Sequence, residues 1–214
     1  MGEPTYLTDA RAAYDTVAST YADLLRNELA GKPVDRAVIA IFAELVTGNG
    51  GGWVADVGCG PGRVAAHLAK LGLDVFGVDL STAMLQVAQR EYPYLSFFAG
   101  QLSNLALHDG TVGGIVAWYS IIHTPPDRLR DTFVELRRVM ASGAALLLAF
   151  QVGDERVHIT HAYDHDVSLH AWRLEPAHIR TLLTDVGLTV HTEVLRAAEG
   201  HEKTPQSYLL ALKL

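Results

Sequence analysis

The chain is expected to be an α/β protein, a three-layer sandwich with helices on both faces of a mostly parallel sheet. Three observations carry this expectation. Short apolar, β-branched runs alternate with stretches of helical apolar spacing over most of the 214 residues, the pattern that demands crossover connections and hence parallel strands. The run Asp56-Val57-Gly58-Cys59-Gly60-Pro61-Gly62 joins the first strand to a helix through a glycine turn. Finally, Leu188–Leu195 and Ser207–Leu212 alternate about a polar, glycine-containing connection, which reads as an antiparallel hairpin closing a seven-stranded sheet.

In order, Pro33 opens a helix with Val34, Ala37, Val38, Ile41, Phe42 and Leu45 at helical spacing, ending at the glycines 48–52. Trp53–Val57 is a strand, Arg63–Leu71 a helix, and Asp74–Val78 a second strand that delivers Asp79 to the same edge. Leu95–Ala99 and Ile115–Tyr119 supply the third and fourth strands. Asp127–Met140 is a helix whose buried side is Leu129, Phe133, Leu136, Val139 and Met140, followed by the continuously apolar, and so central, strand Ala144–Phe150. Glu175–Val186 is the last helix, stopped by Gly187.

Two glycine turns compete for the first motif. The dinucleotide fingerprint spaces its last two glycines by two residues and seats a pyrophosphate on the helix N-terminus. Here one residue separates Gly60 from Gly62, and Asp56 would meet a pyrophosphate with like charge. The residues DVGCGPG and the VDLS of Val78–Ser81 resemble the class I S-adenosylmethionine-dependent methyltransferases. The likeness extends to Tyr14-Asp15 with Ala18 and Tyr21 in the first helix, and to Ser81, Met84, Leu85 and Ala88 after the second acid.

That resemblance implies a Rossmann-like fold, S-adenosylmethionine as cofactor, and methyl transfer to a small-molecule acceptor by direct in-line displacement. It places Asp56 and the backbone of Gly58, Cys59 and Gly60 around the methionine part, lined by Ala117 and Trp118. Asp79 would hold the ribose, and Leu80, Met84, Gln101 and Leu102 would surround the adenine. Tyr14 and Tyr21 are further candidates for cofactor contact, or core aromatics sharing a helix face. Two positions depart from the family pattern: Gln101 stands where an Asp commonly takes the adenine amino group, and Gly114 where an Asp commonly begins the fourth strand. An amide can both accept from that amino group and donate to the adjacent ring nitrogen. His123 is the expected general base, since a neutral imidazole accepts a proton near neutral pH; the alternative is a packed histidine supporting its loop. A nicotinamide-dependent oxidoreductase and a non-catalytic S-adenosylmethionine-binding protein remain as alternative readings.

Residues 1–214 are expected to form one domain, with an N-terminal helix over 8–30 and an insertion over 151–174 forming a substrate lid. The insertion holds His158, His161, His165 and His170 with Asp164 and Asp166. If helical, His161 and His165 would share a face, but without a cysteine pair the expectation is a polar cover and no metal. Seventeen Lys and Arg against 24 Asp and Glu, a formal charge of −7, argue against a nucleic-acid partner. No stretch of roughly 18 apolar residues and no basic-then-apolar start is present, so a cytoplasmic protein without membrane spans is expected. The single cysteine agrees with a reducing compartment.

Overall fold

The computed structural model describes residues 3–214. Its main sheet has seven strands: β1 Val54–Val57, β2 Val75–Asp79, β3 Ser96–Ala99, β4 Val112–Trp118, β5 Met140–Gln151, β8 Thr189–Arg196 and β9 Gln206–Leu212. They lie in the order β3-β2-β1-β4-β5-β9-β8. The first five are parallel, and β9 runs antiparallel between β5 and β8.

The pleat sorts the core into two layers. Ile115, Ala117, Leu146, Leu148 and Leu209 face helices α5 (Pro126–Val139) and α6 (Pro176–Asp185), which supply Leu129, Phe133, Ile179 and Leu183. Val116, Trp118, Leu147 and Leu210 face α2 (Pro33–Gly48) and α3 (Arg63–Lys70), meeting Val38, Phe42, Val64 and Leu68. Each fully buried Val, Leu, Ile or Phe of these layers contributes roughly 1.5–3 kcal/mol. β5 is longer than its apolar run, because Met140–Gly143 continue the strand before it.

Gly114 is explained by this packing. The fourth strand begins two residues earlier, at Val112, so Gly114 lies within it. A Cβ there would come 2.7 Å from Val46 Cγ2 and 2.8 Å from Phe42 Cζ of α2. The side chain common at this position in the family is thus displaced by close helix-on-sheet contact.

The N-terminal segment differs in detail from the expected 8–30 helix. Helix α1 spans Thr5–Leu25, and a separate 3-10 turn follows over Glu28–Gly31. Residues 151–174 are not helical. After the end of β5 they form a two-stranded antiparallel sheet, β6 Arg156–Ala162 and β7 His165–Trp172. His161 and His165 therefore do not share a helix face; His161 pairs with Asp166 at 3.1 Å, and His165 Nε2 lies 3.0 Å from Thr20 Oγ1 of α1. No cluster of metal-ligating side chains occurs among the described residues. The apolar side of the hairpin packs on α1, with Leu169, Val167 and Ile159 around Ala10, Ala13 and Tyr14. On its other flank α1 meets α4 (Thr82–Glu91) through Val17, Ala18, Ala22, Met84 and Val87. Among the described residues no helix is long and apolar enough to cross a membrane.

Candidate active site

The carboxyl ends of β1 to β5 open onto one cavity of about 300 Å³, with α1 and the β6–β7 hairpin at its sides. This is where ligands bind in open α/β sheets. Gly58 has φ +75°, and a Cβ on it would lie 2.2 Å from Ser120 Cβ, so the turn after β1 approaches the end of β4 more closely than any side chain allows. Ser120 Oγ donates to the Val57 carbonyl at 2.8 Å and closes that approach.

Asp79, at the tip of β2, accepts from Gly60 N at 2.7 Å and from Ser81 N at 2.8 Å. Burial raises its carboxyl above the ordinary range, opposed by those amide donors. Both oxygens keep further lone pairs, and the residue lines the cavity. Behind it, Asp15 of α1 accepts from Ser81 Oγ at 2.6 Å and Ala83 N at 3.1 Å, while Ser81 Oγ caps α4 by accepting from Met84 N. The Asp15 of the first-helix motif is therefore a clamp between α1 and α4.

His123 sits in a short 3-10 turn after β4, Ile121–His123. Its Nδ1 is 3.0 Å from the His170 carbonyl of β7, and its Nε2 is 2.7 Å from the Tyr14 hydroxyl. A carbonyl only accepts, so Nδ1 carries the proton and Nε2 accepts from Tyr14. Burial holds the imidazole below the ordinary histidine value, with the His170 carbonyl acting in the opposite sense. Burial likewise pushes Tyr14 well above the usual phenol range, reinforced by Tyr21, Tyr163 and Asp79. The pair rests neutral, proton on tyrosine oxygen and lone pair on histidine.

Of the expected site residues, Tyr14, Tyr21, Gly58, Gly60, Asp79, Leu80, Met84, Gln101, Leu102, Trp118 and His123 all line this cavity. Three do not. Ala117 is turned by the pleat into the layer under α5 and α6, whereas Trp118 faces the other side. Cys59 is buried, its sulfur filling the space beside Gly77, where a Cβ would lie 2.7 Å from Sγ. Asp56 is fully buried below the turn, and neither of its carboxylate oxygens has a hydrogen-bond partner among the described residues. Burial pushes its carboxyl up to about 7, eased in part by the Ala65 amide and the Arg63 guanidinium.

Arg63, the first residue of α3, is the main addition the structure makes. It lines the cavity, and its buried Nη1 is ion-paired with Glu28 Oε2 at 2.8 Å, outside hydrogen-bond geometry. Burial works against its charge, but Tyr21, Glu28 and Asp56 outweigh it. Tyr119, Tyr163, Gln151 and Gln206 also line the cavity. Arg63 adjoins the glycine motif and was legible from position alone; Glu28, Tyr163 and Gln206 come from remote segments with no motif.

A sheet of this order, with a glycine turn after β1 and an acid at the tip of β2, defines the class I methyltransferase fold. The family model described as a methyltransferase domain matches residues 54–143, the segment that carries this glycine turn and acid. The chain is 28% identical over 141 residues to a demethylmenaquinone methyltransferase of Beutenbergia cavernae, covering 66% of this chain and 57% of the relative. It is 30% identical over 147 residues to a malonyl-[acyl-carrier protein] O-methyltransferase of Salmonella typhimurium, covering 60% and 57%. The matches thus span somewhat over half the length of these curated relatives. The crystal structure of magnesium protoporphyrin IX methyltransferase from Synechocystis with bound S-adenosylmethionine superposes with a TM-score of 0.74 at 18% identity, covering 100% of both chains.

Proposed function

We propose that this chain transfers a methyl group from S-adenosylmethionine to a small-molecule acceptor, with the Tyr14–His123 pair receiving the acceptor's proton. One observation carries the reading: beside the glycine turn, the Asp56 carboxylate is fully buried with no hydrogen-bond partner among the described residues, and the Arg63 guanidinium, held by Glu28 at 2.8 Å, stands at the cavity wall. Unpaired buried charge is costly, and an amino-acid group fits this pair, its ammonium relieving Asp56 and its carboxylate sharing Arg63 with Glu28. Arg63 suits the carboxylate; Asp56, fully buried, favours the ammonium through its field across the turn.

The remaining residues fit the rest of that cofactor. Asp79 offers lone pairs to a ribose diol, and Gln101, Leu80, Met84 and Leu102 form a mixed apolar and amide wall suited to adenine. Bound S-adenosylmethionine supplies a methyl already activated on a sulfonium, so the protein's task is placement. Trp118 and Tyr119 present aromatic surface at the end of β4, α1 and the β6–β7 hairpin act as a lid against water, and His123 takes a proton through Tyr14. The formal charge of −7 supports an enzyme of small molecules over one acting on nucleic acid.

Calorimetric titration with S-adenosylmethionine, S-adenosylhomocysteine and NADH tests the reading. Micromolar binding of the adenosyl ligands without NADH supports it. Binding of NADH alone would overturn it in favour of an oxidoreductase.

A further inference from the structure

We propose that the acceptor is an amine, held over the ends of β4, β5 and β9. The proposal rests on the methyltransferase reading above and adds the substrate class. Strand order supplies the map: Gln101, Asp79 and the glycine turn sit at β3, β2 and β1, the half of the edge that the cofactor would take. The other half presents Tyr119 after β4, Gln151 at the end of β5 and Gln206 at the start of β9, the last two being register partners.

Charge excludes an anionic acceptor. The acids on the cavity wall are Glu28, Asp79 and Glu202, and the cation is Arg63, already paired with Glu28. Lys32 and Arg196 lie behind Glu202, where they and the Glu199 amide give each of its oxygens two donors. A carboxylate or phosphate entering this half would find no free cation, whereas an ammonium meets no unpaired cation there.

Hydrogen-bond polarity points the same way. Gln206 Nε2 donates to the Thr204 carbonyl at 2.7 Å, leaving Oε1 as a fixed acceptor. The Tyr14 proton is directed to His123, so its oxygen also presents a lone pair. Such a wall suits a ligand bearing N–H groups, and the faces of Trp118, Tyr119 and Tyr163 suit a cation. An amine arriving protonated gives one proton to Tyr14 Oη as the tyrosine proton passes to His123 Nε2. The freed nitrogen lone pair then forms the N–C bond, the C–S bond breaks with its electron pair left on sulfur, and the product leaves as the methylated ammonium. The imidazolium returns its proton to water.

The test uses the full chain saturated with S-adenosylhomocysteine, titrated calorimetrically with benzylamine and ethanolamine and with their counterparts benzyl alcohol, benzoate and ethylene glycol. The amines should bind at least tenfold more tightly than the matched alcohol and carboxylate. Gln206→Leu, with Gln151→Leu as a second variant, should lower amine affinity about tenfold, the scale of one hydrogen bond to a charged group, and leave S-adenosylhomocysteine affinity unchanged. Benzoate or benzyl alcohol binding as tightly as benzylamine, no amine binding to the loaded protein, or amine affinity unmoved by both variants would overturn the proposal. Failure of S-adenosylhomocysteine itself to bind would overturn the methyltransferase reading, and the amine proposal with it.

Discussion

The Tyr14 hydroxyl donates to His123 Nε2 at 2.7 Å, joining the first helix of the chain to the turn after its fourth strand. The imidazole therefore reaches an acceptor only through tyrosine oxygen, and the two residues act as a unit. Tyr14→Phe and His123→Gln should each lower kcat by roughly 10²–10⁴, and the double variant should lose little more than the worse single one. S-adenosylhomocysteine affinity should stay near wild type in all three. Because burial depresses His123, the acid limb of the kcat profile should fall below the ordinary histidine value of 6.5. Fully additive losses in the double variant would show that the residues work separately.

Arg63 and Asp79 should separate the two ends of the cofactor. Removing the charge in Arg63→Gln takes away a hydrogen bond of the charged kind, worth about 1.5–3 kcal/mol, so S-adenosylhomocysteine should bind roughly tenfold to a hundredfold more weakly. Adenosine, which lacks the amino-acid part, should bind as before. Asp79→Ala should weaken both ligands while circular dichroism shows the fold retained. Equal loss of adenosine in Arg63→Gln would contradict the proposed orientation.

Asp56 makes a prediction about pH. An acid raised from 3.8 to about 7 binds its proton more tightly folded than unfolded. Its contribution is favourable below the unfolded value and is lost as pH rises from about 4 to about 7. Above pH 7 the ligand-free protein carries a buried, unpartnered carboxylate costing on the order of a few kcal/mol. Asp56→Asn should accordingly raise the melting temperature of the ligand-free protein more at pH 8 than at pH 5, and weaken S-adenosylhomocysteine binding. Thermal melts at the two pH values decide it; a gain independent of pH would refute the charge argument.

Gly114 predicts a steric penalty. Gly114→Asp installs the acid common in the family, yet its Cβ would meet Val46 and Phe42 below 3 Å. Overpacking of this kind costs about 1–3 kcal/mol, which for a chain of this size lowers Tm by roughly 2–4 °C per kcal/mol. A melt that shows no loss would mean that α2 yields easily.

The parts of the fold legible in the sequence were those written in a short period. The main-sheet strands and the glycine turn were readable because burial on one or both faces leaves an apolar run. The β6–β7 hairpin was not. Its apolar positions, Val157, Ile159, Val167 and Leu169, alternate with histidines and aspartates in a segment whose turn is Tyr163-Asp164, at φ 53° and 62°. Two-residue hairpins of that geometry usually announce themselves with Asn-Gly or a similar pair, and here neither residue is glycine. In the site, most residues in or beside the motifs line the cavity while Asp56 and Cys59 are buried behind it, and the alternation that hides Ala117 and exposes Trp118 needed the pleat to be seen. The Arg63–Glu28 pair and the Tyr14–His123 bond join segments far apart in sequence, and only the folded chain brings them together.

His170 holds His123 through its main-chain carbonyl, and its imidazole instead stacks on His158 with ring centroids 4.6 Å apart. Position 170 can therefore drift without changing which nitrogen of His123 bears the proton. The outward residues of this hairpin are thus free to vary between descendants while the proton-handling pair is inherited intact.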